Sequence, residues 1–394
     1  MNSSDNSFFK NMKFYLKNKY FRGIVISSGI MVIFLVLILI CINTRERITR
    51  PMYSTTKDGW NYTKLQDAKT GEEYIVIHTY SGNEHDTIAI PERIEGLPVK
   101  ILQGQVFKFS YELKKLIIPK TVEEIKEGGI QFTDIEEVEF EEGSCLKVCN
   151  GLGSSSITSI HLPDSVEVIY EKAFSGGVKL EEIYIGPNVK EIGENAFDDT
   201  KIKNIVLSKD NKYLEWKDGL LVSKEESRLL TYDHDLYLDE ITIPAYIKSI
   251  DDTALDGIEL ERINVDEENE VYFSENDCLY TIDERYGKTL CKVPEGMDIS
   301  KFEFGKDVET IGCYSMANCF SDETVVFPDS VKNIELWAIG SFDIHVSNTL
   351  RHIAIPFYTR TIYFHGTEAD WEKVDVENTV SFDELPYEVV YVED

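Results

Sequence analysis

Little in this sequence points to catalysis. Seven histidines are scattered along 394 residues with no H-E-x-x-H pair, and there is no G-x-S-x-G elbow, Walker loop or dinucleotide fingerprint. Carboxylates are so abundant that no paired-acid site can be singled out, so neither an enzyme nor a cofactor is expected. Seven cysteines include no C-x-x-C pair, which excludes the usual zinc frameworks. Positive charge is also scarce: 40 Lys and Arg stand against 71 Asp and Glu, a net charge of -31. Binding phosphate needs a basic face, so nucleic acid is not an expected partner. The acidic balance suits a soluble, unaggregated surface. Acidic stretches such as Asp266 to Glu270 could hold calcium loosely, but no D-x-D-x-D-G loop supports a built site.

Long apolar runs are missing too, with one exception. Ile24 to Ile42 is uncharged and apolar over 19 residues, enough at about 1.5 Å per residue to cross most of a ~30 Å hydrocarbon core. It is expected to be a transmembrane helix. A cleaved signal peptide fits less well, because the run is long and ends in LILICINTRER without a small-x-small site. Cys41 lacks the small preceding residue that lipoprotein processing would need. Lys10, Lys13, Lys17, Lys19 and Arg22 precede the run, whereas Arg45, Arg47 and Arg50 follow it. That bias places residues 1–23 in the cytoplasm as a basic, aromatic tail and everything after the helix outside the cell. Residues 43–72 are expected to be a juxtamembrane linker, 73–376 a repeat ectodomain opened by a capping hairpin, and 377–394 a C-terminal cap or tail.

What is abundant is a six-residue phrase, apolar-x-x-apolar-x-apolar. Leu113–Ile118, Ile135–Phe140, Ile157–Leu162 and Leu180–Ile185 begin 22, 22 and 23 residues apart, and the phrase returns at Ile202, Leu238, Leu260, Ile299 and Leu350. A second phrase, x-P-x-x-V-x-x-I-x-x-x-A-F, follows many copies, as in the stretches ending at Phe174 and Phe197. Fixed-period self-similarity is the mark of a solenoid. Within LEEIYI, Ile183 and Ile185 alternate with Glu182 and Tyr184, so a short strand buries one face. The following proline, at 119, 163, 187, 244, 328 and 356, has no N–H for a ladder and marks the strand exit. Val189, Ile192, Ala196 and Phe197 provide the opposite wall. No single coil can bury these residues alone, but stacked coils about 4.8 Å apart form one core.

The paired phrases resemble the leucine-rich repeats of the BspA type, found in bacterial cell-surface proteins, from about Glu73 to Val376. The resemblance implies a mainly β leucine-rich repeat solenoid, a curved stack of coils, acting as a non-enzymatic protein- or glycan-binding or adhesion module.

Two intervals are longer, 36 residues from Ile202 to Leu238 and 39 from Leu260 to Ile299, and both contain similar text that reads as strand, turn, strand. These are expected to be two hairpin insertions projecting from the stack. In the second, Cys278 and Cys291 would face each other, either as an extracellular disulfide or as two buried thiols. Cys319 reads as a small core residue. The glycine-rich Gly151–Ser156 reads as a coil turn rather than a phosphate cradle.

Outward-pointing strand positions define the candidate ligand face. One column reads Ile117, Glu139, His161, Tyr184, Val206, Thr242, Asn264, Glu303, Val326 and Ala354. Its neighbour reads Lys115, Glu137, Ser159, Glu182, Asn204, Glu240, Arg262, Lys301, Thr324 and His352. His161 and Tyr184 are the leading candidates, because aromatic side chains anchor interfaces. Two functions remain open: a membrane-tethered module binding an extracellular protein or glycan, or a structural scaffold of the envelope acting on other membrane proteins.

Overall fold

The structure is a computed structural model that describes residues 53–392 apart from 84, 108–109, 111, 131–132, 154–155, 201, 234–238, 257–259, 300–301, 321–323, 356–360 and 379–386. The expected transmembrane helix over 24–42 and the tail before it lie outside the described residues. Among the described residues no helix is long and apolar enough to cross a membrane.

From Leu113 to Leu260 the six-residue phrase forms the front wall of the coils. Its last letters make short strands that stack in parallel and in register: Ser159, Glu182 and Asn204 are partners, as are His161, Tyr184 and Val206. Alternation does the sorting, with Ile183 and Ile185 fully buried and Glu182 exposed between coils. Each such buried Leu or Ile contributes roughly 2 kcal/mol. The V-x-x-I of the second phrase forms a two-residue back strand, and Glu124–Ile125, Val148–Cys149, Val168–Ile169 and Glu191–Ile192 stack in parallel behind the front wall. The Ala-Phe pair that follows fills the space between, where the Phe174 and Phe197 rings stack at 5.7 Å and 3°. Ion pairs such as Lys115–Glu137 at 2.7 Å and Lys203–Glu181 at 2.9 Å link neighbouring coils across the surface. At such exposure each contributes less than about 1 kcal/mol.

Gly151 and Gly153 sit where consecutive coils turn, and there is a specific reason for glycine at both. A Cβ on Gly153 would lie 2.1 Å from the Ser175 oxygen, and one on Gly151 would lie 2.4 Å from the Gly129 nitrogen. Backbones of consecutive coils meet here, as the 2.9 Å bond from the Ile130 amide to the Gly151 carbonyl shows. Only a residue without a side chain fits.

The start of the stack corrects the expected boundary at Glu73. Trp60–Gln66 pairs antiparallel with Glu73–Tyr80, which in turn pairs parallel with Leu97–Leu102. Trp60 and Tyr62 are buried, and the Trp60 ring sits 4.5 Å from Tyr80 and 6.0 Å from Phe107. Much of the presumed linker over 43–72 is therefore the first wall of the domain, whose contacts begin at Ser54. It was misread because it lacks the repeat phrase, although it alternates like any half-buried strand.

Both insertions are three-stranded antiparallel meanders, built from Leu214–Lys217, Leu220–Ser223 and Arg228–Tyr232, and from Tyr272–Glu275, Cys278–Asp283 and Gly287–Lys292. They do not project. The last strand of each joins the back wall, Arg228–Tyr232 beside Ser249–Ile250 and Gly287–Lys292 beside Thr310–Ile311, while Leu220–Ser223 and Tyr280 are buried. Apolar residues on both strand faces, as in LLVS, require cover on both sides.

Each meander is entered through an asparagine that sequence reading overlooked. Asn211 donates to the Gly186 and Val189 carbonyls, both at 2.9 Å, and accepts the Tyr213 and Leu214 amides at 2.9 and 2.8 Å. Asn269 repeats the arrangement 58 residues later with Pro244, Ile247, Val271 and Tyr272. Where the meanders leave the stack, Arg228 pairs with Asp251 at 2.8 Å and Lys292 with Asp256.

The C-terminal coils change the reading of one phrase. Leu350–Ile355 matches the front phrase, yet His352–Ile355 pairs with the back strands Asn333–Ile334 and Asp375–Asn378. Both phrases begin apolar-x-x-apolar, and the trailing Ile355 mimicked the front version. The real front strands are Val325–Val326, Ile344–Ser347, Thr361–His365 and Glu388–Tyr391, all parallel. The TIYFH segment and the C-terminal strand therefore continue the solenoid. A short helix, Glu368–Trp371, capped by Thr367 and Asp370, lays Trp371 against Phe364 at 5.2 Å.

Candidate functional site: the outward face of the front strands

Sequence-predicted face residues fall into three groups. Ser159, His161, Glu182, Tyr184, Asn204 and Val206 lie side by side on three paired strands. The His161 and Tyr184 rings are stacked, with centroids 4.0 Å apart and planes 3° from parallel. Tyr184 donates its hydroxyl to Asp164 at 3.0 Å, and partial burial together with that carboxylate raises its pKa. Val206, 42% exposed, extends the stack by one coil, and Asn204 donates to Glu182 at 2.7 Å beside it. Three coils thus present one ordered aromatic and apolar strip with a polar border.

Thr242 and Asn264, with Glu240 and Arg262, sit on a separate two-stranded segment of the front wall. Arg262 pairs with Glu240 at 3.3 Å, and Arg262 and Glu303 share a shallow groove of about 450 Å³ with Asn276, Asp277 and Asp298. Glu303 is exposed between Phe302 and Phe304, which pack against the core, but it lies in no strand. Ile117, Lys115, Glu137 and Glu139 form a third segment near the start, where Lys115 bridges Glu137 and Glu139, both at 2.7 Å.

Two predicted positions are misplaced by the phase error at Leu350. Ala354 is 1% exposed, and His352 is on the back wall, 3.0 Å from Asp375. The same error hid a second aromatic strip. Val326, His345, Tyr363 and Val390 are the front-wall column of the last coils, with His345 stacked on Tyr363 at 4.6 Å and 13°. His345 also lies 2.8 Å from His365, and burial lowers its pKa, with the neighbouring imidazole adding to the effect. The alternation in IHVS and TIYFH was the available signal.

The Cys278–Cys291 pairing is corrected by register. Leu279 pairs with Lys292 and Tyr280 with Leu290, so Cys291 is the extra residue of a bulge. The two sulfurs enter different apolar clusters, Cys278 beside Tyr280 and Leu290, Cys291 beside Leu279 and Tyr272. All six described cysteines are free thiols, and burial pushes Cys319 up to about 12 and Cys313 to about 11. In the acidic loop, Asp266 accepts the Glu268 amide while Asn269 turns inward. Among the described residues no cluster of three or more His, Cys, Asp or Glu side chains is placed to hold a metal ion.

No curated protein matches the sequence. Solved structures with a similar chain course include a leucine rich cell surface protein from Faecalibacterium prausnitzii, 17% identical, with 84% of this chain and 99% of that one covered and a TM-score of 0.46. The pneumococcal vaccine antigen PcpA is 16% identical over 83% of this chain and 99% of its own, also at 0.46. A leucine-rich repeat protein from Bacteroides ovatus is 14% identical, covering 86% and 90%, at 0.36. The model of the BspA type leucine rich repeat region matches residues 69–151, 152–217 and 295–362 in six copies. With more than half of its residues in those matches, the chain belongs to the family of BspA type leucine-rich repeat proteins.

Proposed function

We propose that this protein is a membrane-anchored binding module of the bacterial cell surface, non-enzymatic, that holds an extracellular protein ligand on the front face of its solenoid. The observation that carries this reading is the strip of His161, Tyr184 and Val206, repeated in form by His345 and Tyr363. Packed side chains held on paired strands lose little freedom when a ligand arrives, which favours binding. The type of ligand follows from ring geometry. Stacking covers one face of His161 and one of Tyr184, and Val206 flanks the other side of Tyr184, so Tyr184 offers its edge rather than an open face to the solvent. A sugar needs an open ring face to stack on, whereas a protein surface packs against edges and Val206. Ile24–Ile42 supplies the anchor, and its basic leading flank keeps the N-terminus in the cytoplasm with the repeats outside.

An array of host proteins, matrix proteins, glycans and the cell's own membrane proteins, probed with the protein, tests this. Binding to a protein spot that weakens at least tenfold in Tyr184→Ala, with unchanged melting, is the expected result. Selective capture of the cell's own membrane proteins, indifferent to Tyr184→Ala, would replace the reading with an envelope scaffold.

A further inference from the structure

The front wall has a break, and it is open at the backbone. The strand Asn204–Leu207 ends its three-stranded segment, and among the described residues no strand pairs with its forward edge. Its Asn204 amide donates back to the Glu181 carbonyl at 3.0 Å, and the Ser208 amide to Ile185 at 2.9 Å. In a parallel ladder the amides alternate sides, so those of Ile205 and Leu207 point forward, where the next coil's front strand would lie.

The second insertion shows what a closed edge looks like. There the Ile263 amide donates to the Asp277 carbonyl at 2.9 Å, and the Ser274 hydroxyl donates to the Ile263 carbonyl at 2.6 Å. Counting from Asn211 and Asn269, Trp216 stands in place of Ser274 and Gly219 in place of Asp277. Trp216 has no hydroxyl to offer, and the Gly219 carbonyl accepts the Asp233 amide at 2.8 Å instead. Ile205 and Leu207 thus line a groove of about 500 Å³ together with Trp216, Lys209 and Lys224. Glu215 also lines it. Neither lysine has a carboxylate within ion-pairing distance among the described residues, in a chain whose net charge is -31.

We propose that this edge binds an extended acidic peptide of a partner protein, which adds as the missing front strand. Its backbone pairs with Ile205 and Leu207, its alternate carboxylates meet Lys209 and Lys224, and Trp216 forms the wall. Strand addition draws affinity from main-chain hydrogen bonds and selectivity from alternate side chains. This deepens the reading of the module as a protein binder and rests on it, but places binding on the backbone edge of the strand that carries Val206, one coil beyond Tyr184.

The test uses the full chain in detergent and a fluorescently labelled, capped hexapeptide of alternating glutamate and threonine, followed by anisotropy and by tryptophan emission. Saturable binding is expected, with the Ile205 and Leu207 amides exchanging fast in the free protein, slowing on binding, and Ile263 slow throughout. N-methylation of the peptide in the pairing phase should weaken binding at least tenfold, and methylation in the other phase should not. Lys209→Glu with Lys224→Glu should also weaken it at least tenfold, whereas Trp216→Phe should remove the tryptophan signal and leave the anisotropy change. Equal affinity for a peptide with lysine in place of glutamate would overturn the proposal, as would indifference to N-methylation. Concentration-dependent self-association that protects the same amides without peptide would overturn it in favour of a second copy as the occupant. Tyr184→Ala should bind the hexapeptide normally. If the hexapeptide fails while an array protein still binds in a Tyr184-dependent way, only the edge proposal is lost.

Discussion

Replacing Asn211 by alanine should be far more damaging than the loss of one small side chain suggests. Asn211 is 7% exposed and ties its own segment, at Tyr213 and Leu214, to the turn at Gly186 and Val189 with four hydrogen bonds of 2.8 to 2.9 Å. Alanine leaves the Gly186 and Val189 carbonyls and the Tyr213 and Leu214 amides without those bonds. At about 1 kcal/mol net per bond, with some relaxation, the cost is about 3 kcal/mol. That is a large part of the 5–15 kcal/mol typical of a folded domain. Because coils contact only their neighbours, the damage should be local, centred on the junction with the first meander. Urea denaturation should show a lower midpoint, and hydrogen exchange should accelerate first at Tyr213 and Leu214. Asn269→Ala, at a less buried site, should cost less. Asn211→Asp keeps both acceptors but sets a carboxylate against two carbonyls, so it should be destabilised at pH 7 and partly rescued when acid restores one donor. A cost below about 1 kcal/mol for Asn211→Ala would show that water replaces the clamp and refute the argument.

Three further outcomes follow from the same packing. Burial pushes the Asp251 and Asp256 carboxyls up to about 6, against the opposing pull of Arg228 and Lys292. Their folded pKa lies above the unfolded value, so the folded state binds the extra protons and their contribution to stability grows as pH falls through 6 and is lost as it rises. Urea midpoints at pH 7, 6 and 5 should therefore climb more steeply in the parent than in Asp251→Asn/Asp256→Asn, and parallel profiles would contradict the assignment. Gly153→Ala drives a methyl into the Ser175 carbonyl and should cost about 2 kcal/mol, read as a lower melting temperature; an unchanged value would mean the coils can separate at no cost. Alkylation of the native protein, mapped by mass spectrometry, should label Cys145 among the described cysteines and spare Cys149, Cys278 and Cys319 until urea is added; a recovered Cys278–Cys291 disulfide would contradict the bulged register.

The face was legible in sequence wherever the phrase had its full set of signals. At His161 and Tyr184 the phrase, the proline and the Ala-Phe pair agreed, at Val206 the phrase and its spacing sufficed, and neighbours predicted from spacing are neighbours in the ladder. Near the C-terminus only the apolar letters remained. An apolar-x-x-apolar start serves both walls, so Leu350 was set on the wrong one and His345 and Tyr363 were missed. The same holds at the start, where Trp60 and Tyr62 carry no repeat phrase because a cap has a neighbour on one side alone.

The sequence by itself determined the stacked coil, its period, and which side of each strand is buried, because these depend on alternation and spacing within about 23 residues. Tertiary structure decided what depends on residues brought together from different coils. It turned two insertions into walls of the core, placed Cys278 and Cys291 on opposite faces of one meander, and set four backbone groups around Asn211. It also left the forward edge of Asn204–Leu207 open and closed that of Arg262–Val265. A hydrogen bond across the stack depends on where a neighbouring coil's backbone arrives, and no local pattern of apolar and polar letters records that.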